Sequence, residues 1–112
     1  MLKMYGIPNC DTVKKARVFL EKQGAAYEFV DFKKTPPTAA DLERWKAAFG
    51  EWPLNKKGPT YRKNAEAYEK LTESKRVAFI IANSSMIKRP ILEQNGKVLA
   101  FGFNESEYQR LK

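Results

Sequence analysis

The amino-acid sequence predicts one α/β domain built around a mixed four-stranded sheet. The chain has 112 residues, which is the length of a single domain. Hydrophobic residues make up 43% of it, enough for a packed core. Strand-like and helix-like segments alternate in the first half, and a hairpin signal lies near the C-terminus. We therefore expect residues 1–112 to fold as one domain.

Two successive strand-helix pairs are predicted first. Residues 2–7 are short and apolar and precede a proline, which is typical of a buried strand. A helix follows, because apolar residues recur at spacings of three and four at Val13, Ala16 and Leu20, and Gly24 ends it. Residues 27–32 are rich in strand formers and predict a second strand, parallel to the first through a right-handed crossover. The next helix is capped by Thr38, ends near Gly50 and carries an apolar stripe of Leu42, Trp45 and Phe49.

The middle of the chain predicts further helices. Residues 62–64 precede a short helix whose apolar positions are Ala65, Tyr68 and Leu71. Residues 77–82 form a continuous apolar run, which we interpret as a buried helix because it lies between helical and loop signals.

The C-terminal part predicts a β-hairpin and a final helix. Asn95-Gly96 separates the strand-like residues 91–94 from 97–101 and is a strong hairpin signal. Asn104, with Glu107 three residues later, predicts a capped helix that runs to Lys112. The element order is therefore βαβα, helices, then ββα. That order is typical of a thioredoxin-like sheet with an inserted helical segment between its halves.

The composition narrows the classes of partner. There are 21 Lys and Arg against 13 Asp and Glu, a formal charge of +8, which favours anionic partners such as nucleic acid, an oxyanion or glutathione. The basic residues occur in scattered pairs, which is also typical of a solvated surface. No apolar stretch is long enough for a membrane span, and the first residues lack the apolar core of a secretory signal. We expect a cytoplasmic protein.

The single cysteine, Cys10, lies in the turn from the first strand into the first helix. Unpaired N–H groups and the helix dipole place partial positive charge there, which favours the thiolate. The ordinary thiol pKa near 8.5 falls to roughly 3.5–7.5 at such positions. The neighbouring carboxylate of Asp11 opposes this effect unless it faces away or caps the helix. The alternative role for Cys10 is that of a small buried filler.

Two absences in the composition limit the chemistry. The chain has no histidine, which excludes a cysteine-histidine nucleophile pair and, with one cysteine, a structural zinc site. Val13 stands where a Cys-x-x-Cys motif would have its second cysteine, so no internal disulfide forms. Turnover therefore requires an external thiol, and we expect neither a bound cofactor nor a metal.

Three stretches of the chain resemble one known family. They are residues 6–12 (Gly-Ile-Pro-Asn-Cys-Asp-Thr), 61–64 (Tyr-Arg-Lys-Asn) and 87–92 (Ile-Lys-Arg-Pro-Ile-Leu). In this order they resemble the ArsC family of arsenate reductases with its Spx and YffB relatives, most closely the YffB-like branch. The resemblance implies a thioredoxin-like domain with an inserted helical segment, a nucleophilic Cys10 faced by Arg62 and Arg89, and a cis peptide before Pro90.

The resemblance also implies a binding site. Asn9 and Thr12 shape the turn, and the substrate or glutathione meets a set of further residues: Arg62, Arg89, Pro90 and Asn104. Guanidinium groups stay charged and offer forked donors to an oxyanion or carboxylate. Arsenate reductases of the family use a third arginine, whereas residues 101–104 here contain none. Asn104 offers only a neutral hydrogen bond, so we expect weaker oxyanion binding.

Three functions follow as hypotheses. The first is a glutathione-dependent thiol reductase that uses the Cys10 thiolate, with glutathione as a diffusible co-substrate. The second is an arsenate reductase coupled to glutathione or glutaredoxin. The third is an Spx-like regulatory module that binds RNA polymerase, for which the basic surface suits an acidic protein partner. Direct nucleic-acid binding is disfavoured, because no recognition motif accompanies the charge.

Overall fold

The computed structural model describes residues 2–110, and the chain divides into two compact units. One unit comprises Met1–Thr35 and Arg89–Lys112, and the other comprises Pro36–Lys88. The second unit corresponds to the inserted helical segment that the sequence predicts. In chain order the elements are β1 (Leu2–Gly6), α1 (Asp11–Lys22), β2 (Tyr27–Asp31), α2 (Ala39–Phe49), α3 (Pro59–Glu69), α4 (Glu73–Ala82), a 3₁₀ turn (Ser84–Met86), β3 (Ile91–Gln94), β4 (Lys97–Phe101) and α5 (Glu105–Gln109).

The first unit contains a mixed four-stranded sheet in the order β2-β1-β3-β4. Strands β1 and β2 are parallel, with Met4 opposite Phe29, and α1 connects them. Strand β3 is antiparallel to both β1 and β4. The thioredoxin-like α/β fold predicted from the sequence is confirmed.

The core of the first unit lies between this sheet and the helices α1 and α5. Its buried residues come from the sheet and from both helices, and they are Met4, Val13, Ala16, Leu20, Leu92, Ala100 and Tyr108. The helical face predicted from the spacing of apolar residues is therefore the face that packs on the sheet. Gly24 has φ +72 and its N–H donates to Glu21 O at 3.1 Å, so the predicted end of α1 is confirmed.

Local turn and cap signals in the C-terminal part are also confirmed. Asn95 (φ +53) and Gly96 (φ +80) both adopt the left-handed conformation of a tight turn between β3 and β4. The Glu107 N–H donates to Asn104 Oδ1 at 3.0 Å, which caps α5. Helix α5 ends at Gln109, and the last two residues of the predicted helix lie outside the described residues.

In the second unit, α2 begins and ends as predicted. Thr38 and Asp41 form a reciprocal capping box, and Gly50 (φ +94) follows the last turn. The prediction for α3 was wrong at its start, because Arg62 lies inside a helix that begins at Pro59. Proline at the first helical position is favourable, since its missing N–H would have no partner there.

The apolar run at 77–82 is helical, as predicted, but it is not uniformly buried. Of its residues only Ile80 is fully buried, whereas Ala78 and Ala82 are exposed. Consecutive residues point around the whole circumference of a helix, so one buried face cannot include them all. No helix within residues 2–110 combines the length and the apolar character needed to cross a membrane.

Candidate functional site

The turn from β1 into α1 holds Cys10 at a fixed place. A Cβ atom at Gly6 would lie 3.0 Å from Val13 Cγ2, so a larger residue there would force the Val13 side chain to shift. The Cys10 N–H donates to Ile7 O at 3.3 Å, and Cys10 O accepts from the Lys14 N–H at 2.9 Å. Cys10 is therefore the N-cap residue of α1, with an extended backbone (φ −100, ψ 125).

The half-buried thiol of Cys10 has a pKa below that of an ordinary cysteine thiol. Burial acts to raise the pKa, and four effects together outweigh it: the Val13 N–H, a hydrogen bond from the Arg89 side chain, the positive charge of Arg89, and the Thr12 N–H. The contacts with the helix N–H groups are electrostatic, since no cap hydrogen bond of ordinary geometry reaches the sulfur. The thiolate is thus stabilised by one cation and the start of one helix.

Strand pairing brings Arg89 to Cys10. In the antiparallel pair of β1 and β3, Tyr5 lies opposite Ile91, so the start of β3 is beside the end of β1. The Arg89-Pro90 peptide is cis, as the resemblance implies, and the buried Pro90 accepts a hydrogen bond from the Gly102 N–H at 2.8 Å. Arg89 immediately precedes this anchored segment.

The other predicted site residues occupy different settings. Asn9, in the turn before Cys10, and Thr12, in the first turn of α1, are both exposed, and the Thr12 N–H contributes to lowering the thiol pKa of Cys10. Asn104 follows β4 and uses its side-chain oxygen to cap α5, which leaves its amide NH₂ for a ligand. Arg62 is exposed on α3 in the second unit, and its approach to Cys10 stays a prediction.

The close approach of Val13 to the position that a side chain at Gly6 would occupy was not predicted from the sequence. Its only signal was a glycine at the end of a strand, which often marks a close backbone approach. Among residues 2–110, no group of three or more histidine, cysteine, aspartate or glutamate residues is placed to hold a metal ion. The chemistry that this part of the chain offers is that of a single activated thiol beside a guanidinium.

Comparison with known proteins identifies the family of the chain. The profile of the ArsC family matches residues 5–111. The chain belongs to the ArsC family. The solved structure of a protein named YFFB is 41% identical, with a TM-score of 0.87, and covers 98% of this chain and 97% of its own. An arsenate reductase (ArsC) related protein from Brucella melitensis is 39% identical, with a TM-score of 0.74, over 97% of this chain and 92% of its own.

Curated relatives extend the range of the family. An uncharacterized protein of Haemophilus influenzae is 36% identical over 97% of this chain and 96% of its own length. A protein of Streptococcus agalactiae named global transcriptional regulator Spx is 26% identical over 96% of this chain and 80% of its own length. The ArsC-family chain described here therefore has an arsenate reductase-like fold, with relatives of different named roles.

Proposed function

We propose that this ArsC-family protein is a glutathione-dependent thiol reductase with Cys10 as its nucleophile. The observation that carries the proposal is the hydrogen bond from Arg89 to a thiol whose pKa is lowered at the start of α1. The thiolate attacks one sulfur of a substrate disulfide. A new sulfur-sulfur bond forms to Cys10, the substrate bond breaks, and the second substrate sulfur leaves as a thiolate.

Glutathione completes the cycle. Its thiolate attacks the mixed disulfide, takes over the bond to the substrate sulfur and releases the Cys10 thiolate; a second glutathione thiolate then frees the substrate and leaves as glutathione disulfide. Two thiols are oxidised for each disulfide reduced, so electrons balance without a bound cofactor. Position 13, where a Cys-x-x-Cys motif would have its resolving cysteine, is a buried valine and has no sulfur. We place the reaction in the cytoplasm, where glutathione keeps thiols reduced.

The proposed roles of the polar residues follow from their chemistry. Arg89 stabilises the thiolate and, with Arg62, holds a carboxylate of glutathione or of the substrate. We assign to the same site Asn9 and Thr12, which are exposed close to Cys10 in the chain, and Pro90, which is buried and follows Arg89. Asn104 offers its amide group to a neutral oxygen of the bound molecule.

A coupled assay tests this proposal. Reduction of a small disulfide is followed through NADPH consumption with glutathione and glutathione reductase. Cys10→Ser is expected to reduce turnover to the uncatalysed rate, and Arg89→Ala and Arg62→Ala are expected to lower kcat/KM. Arg110→Ala removes an equal charge at the end of α5 and serves as the matched control. Turnover retained in Cys10→Ser would refute the proposal.

Arsenate reduction is a second candidate, supported by family membership and by the name of the Brucella relative. The absence of arginine in residues 101–104 weighs against it, because Asn104 supplies no charge to an oxyanion. The same assay with arsenate in place of the disulfide, coupled to glutathione alone or to glutaredoxin, separates the two. Arsenate turnover above the disulfide rate would favour this candidate.

A regulatory role is a third candidate, supported by the similarity to the protein named Spx. The partner would then be RNA polymerase. The missing second cysteine argues against a disulfide switch in this chain. Saturable binding to purified RNA polymerase, undiminished in Cys10→Ser and accompanied by no disulfide reduction, would favour a regulatory role.

A further inference from the structure

A groove with an apolar floor lies along α1, on the surface of the first unit. It lies between the outer side of α1 and the segment that follows β4, and its volume is about 510 Å³. Volumes of this size are typical of ligand-binding clefts. We call this feature the α1 groove. The proposed reaction does not use it.

The floor of the α1 groove consists of packed aromatic rings and is partly exposed to solvent. Phe19 and Phe103 lie in it with ring centroids 5.8 Å apart, and both rings contact the buried ring of Tyr108. Val18 continues the floor and is 50% exposed, which makes it one of the few large hydrophobic residues open to solvent. An apolar side chain of a ligand would therefore find a preformed surface there.

The rim of the α1 groove is basic. Lys14, Lys15 and Lys22 line it and are exposed, and within residues 2–110 none of them forms an ion pair. Lys14 and Lys22 are eight positions apart on α1, which corresponds to about 12 Å along the helix axis. One small anion would meet only one end of this row. Several negative charges spaced along a chain would meet all of it.

We propose that the α1 groove binds an acidic segment of a partner protein, with one or two apolar side chains seated on Val18, Phe19 and Phe103. The acidic side chains of the segment lie along the lysine row on α1. Glu105 lines the opposite side and disfavours acidic side chains there, so the segment binds with its charged edge toward α1. This inference does not depend on the proposed reductase activity.

The row of residues along the α1 groove begins at Cys10. Positions 10, 14, 18 and 22 follow one another at the i, i+4 spacing and form one row along the helix. The thiol at the N-cap therefore stands at the head of the row that the lysines and Val18 continue. A protein bound in the α1 groove would extend toward that thiol.

Fluorescence anisotropy with the full chain tests the proposal. The probe is a short fluorescein-labelled peptide with Leu residues three or four positions apart and Glu residues between them. One control peptide has Gln in place of every Glu, and the other has Ser in place of every Leu. We expect saturable binding of the probe, and weakening of roughly tenfold or more for each control peptide. Binding should also weaken as salt rises, because the rim charges are exposed.

Matched protein variants locate the binding. Two variants should each lower the affinity for the probe by about tenfold or more: the triple variant Lys14→Glu, Lys15→Glu, Lys22→Glu and the single variant Val18→Asp. The control changes three exposed lysines outside the groove by the same charge: Lys33→Glu, Lys34→Glu and Lys75→Glu. This control should lower the affinity for the probe by less than about threefold, because only long-range attraction is lost and salt screens it.

Four results would overturn the proposal. Equal weakening in the two triple variants would mean attraction by net charge alone, and equal binding of the Leu-to-Ser peptide would mean that the apolar floor is not used. Octanoate that binds the groove while the peptide does not would identify a site for small amphiphiles. A dimer seen by sedimentation and lost in Val18→Asp would identify a contact between copies of this chain.

Discussion

Removal of the Arg89 guanidinium is expected to raise the pKa of the Cys10 thiol. Arg89 acts on the thiolate in two ways, by hydrogen bond and by charge, while burial acts in the opposite direction. In Arg89→Ala only the N–H groups of Val13 and Thr12 still stabilise the thiolate. Burial, which raises the thiol pKa, is then opposed by fewer stabilising interactions.

The size of this change can be worked from general magnitudes. A hydrogen bond to a charged group contributes about 1.5–3 kcal/mol. Cys10 is only half-buried, so solvent screens the charge and the lower end applies. About 1.4 kcal/mol corresponds to one pKa unit, so we expect a rise of about one unit.

The rate of alkylation by iodoacetamide gives a distinctive signature. Well below both pKa values, Arg89→Ala has about tenfold less thiolate, but the more basic thiolate is about 2.5- to 3-fold more nucleophilic, so the rate falls about three- to fourfold. Well above both pKa values every thiol is ionised, and the variant reacts about 2.5- to 3-fold faster than the wild type. The two rate profiles therefore cross.

The controls decide whether Arg89 acts on the thiol directly. Arg89→Lys keeps the charge but loses the forked geometry, and its profile should lie between the other two. Arg110→Ala loses a charge elsewhere and should follow the wild type. A rate ratio between Arg89→Ala and wild type that stays constant across pH would refute the reasoning, because it would report altered access rather than altered ionisation.

Two further predictions concern the framework of the site. Gly6→Ala should lower the free energy of unfolding by about 1–3 kcal/mol, because its methyl group would crowd Val13; urea denaturation measures this. Gly6→Ala should also shift the pKa of the Cys10 thiol, and an unchanged pKa would count against the proposed positioning. In the control Gly96→Ala the added methyl group has open space but the backbone φ is strained. This control should lose about 1–2 kcal/mol of unfolding free energy and leave the thiol pKa unchanged. Tyr108→Phe should lower the free energy of unfolding by about 1 kcal/mol, because the Tyr108 hydroxyl donates to Gly102 O at 3.3 Å; an equally stable variant in urea denaturation would contradict this.

Elements that depend on neighbouring residues could be predicted from the sequence. The Asn95-Gly96 turn, the Thr38 cap and the Asn104 cap each depend on residues within a few positions, and each is present in the structure. The start of α3 was missed because the helical pattern of apolar residues does not show where a helix begins. The burial of α4 was overestimated because burial depends on packing partners, which a local run of residues does not reveal.

The candidate site divides in the same way. The place of Cys10 at a helix start follows from residues 5–12 alone, and the lowered pKa of its thiol agrees with it. Arg89 is distant in the sequence and reaches the thiol through the pairing of β1 with β3, so only the family resemblance indicated it. The α1 groove has no local signal, since Phe103 joins Phe19 only through the folded sheet.

A cysteine at the N-cap of α1 stabilises the helix less than a good capping residue would. A neutral thiol is a weak acceptor, and the sulfur forms no cap hydrogen bond of ordinary geometry. Serine is among the preferred N-cap residues, so below the folded pKa of the thiol Cys10→Ser should raise the free energy of unfolding by about 1 kcal/mol. The lowered thiol pKa adds stability to the wild type that is complete above the thiol pKa of the unfolded chain and is lost as pH falls through the folded pKa. The advantage of Cys10→Ser should therefore shrink as pH rises, and urea denaturation of both proteins at each pH measures it. A difference that does not change with pH would mean that ionisation of the thiol is not coupled to folding, and the case for an activated thiolate at this helix start would fail with it.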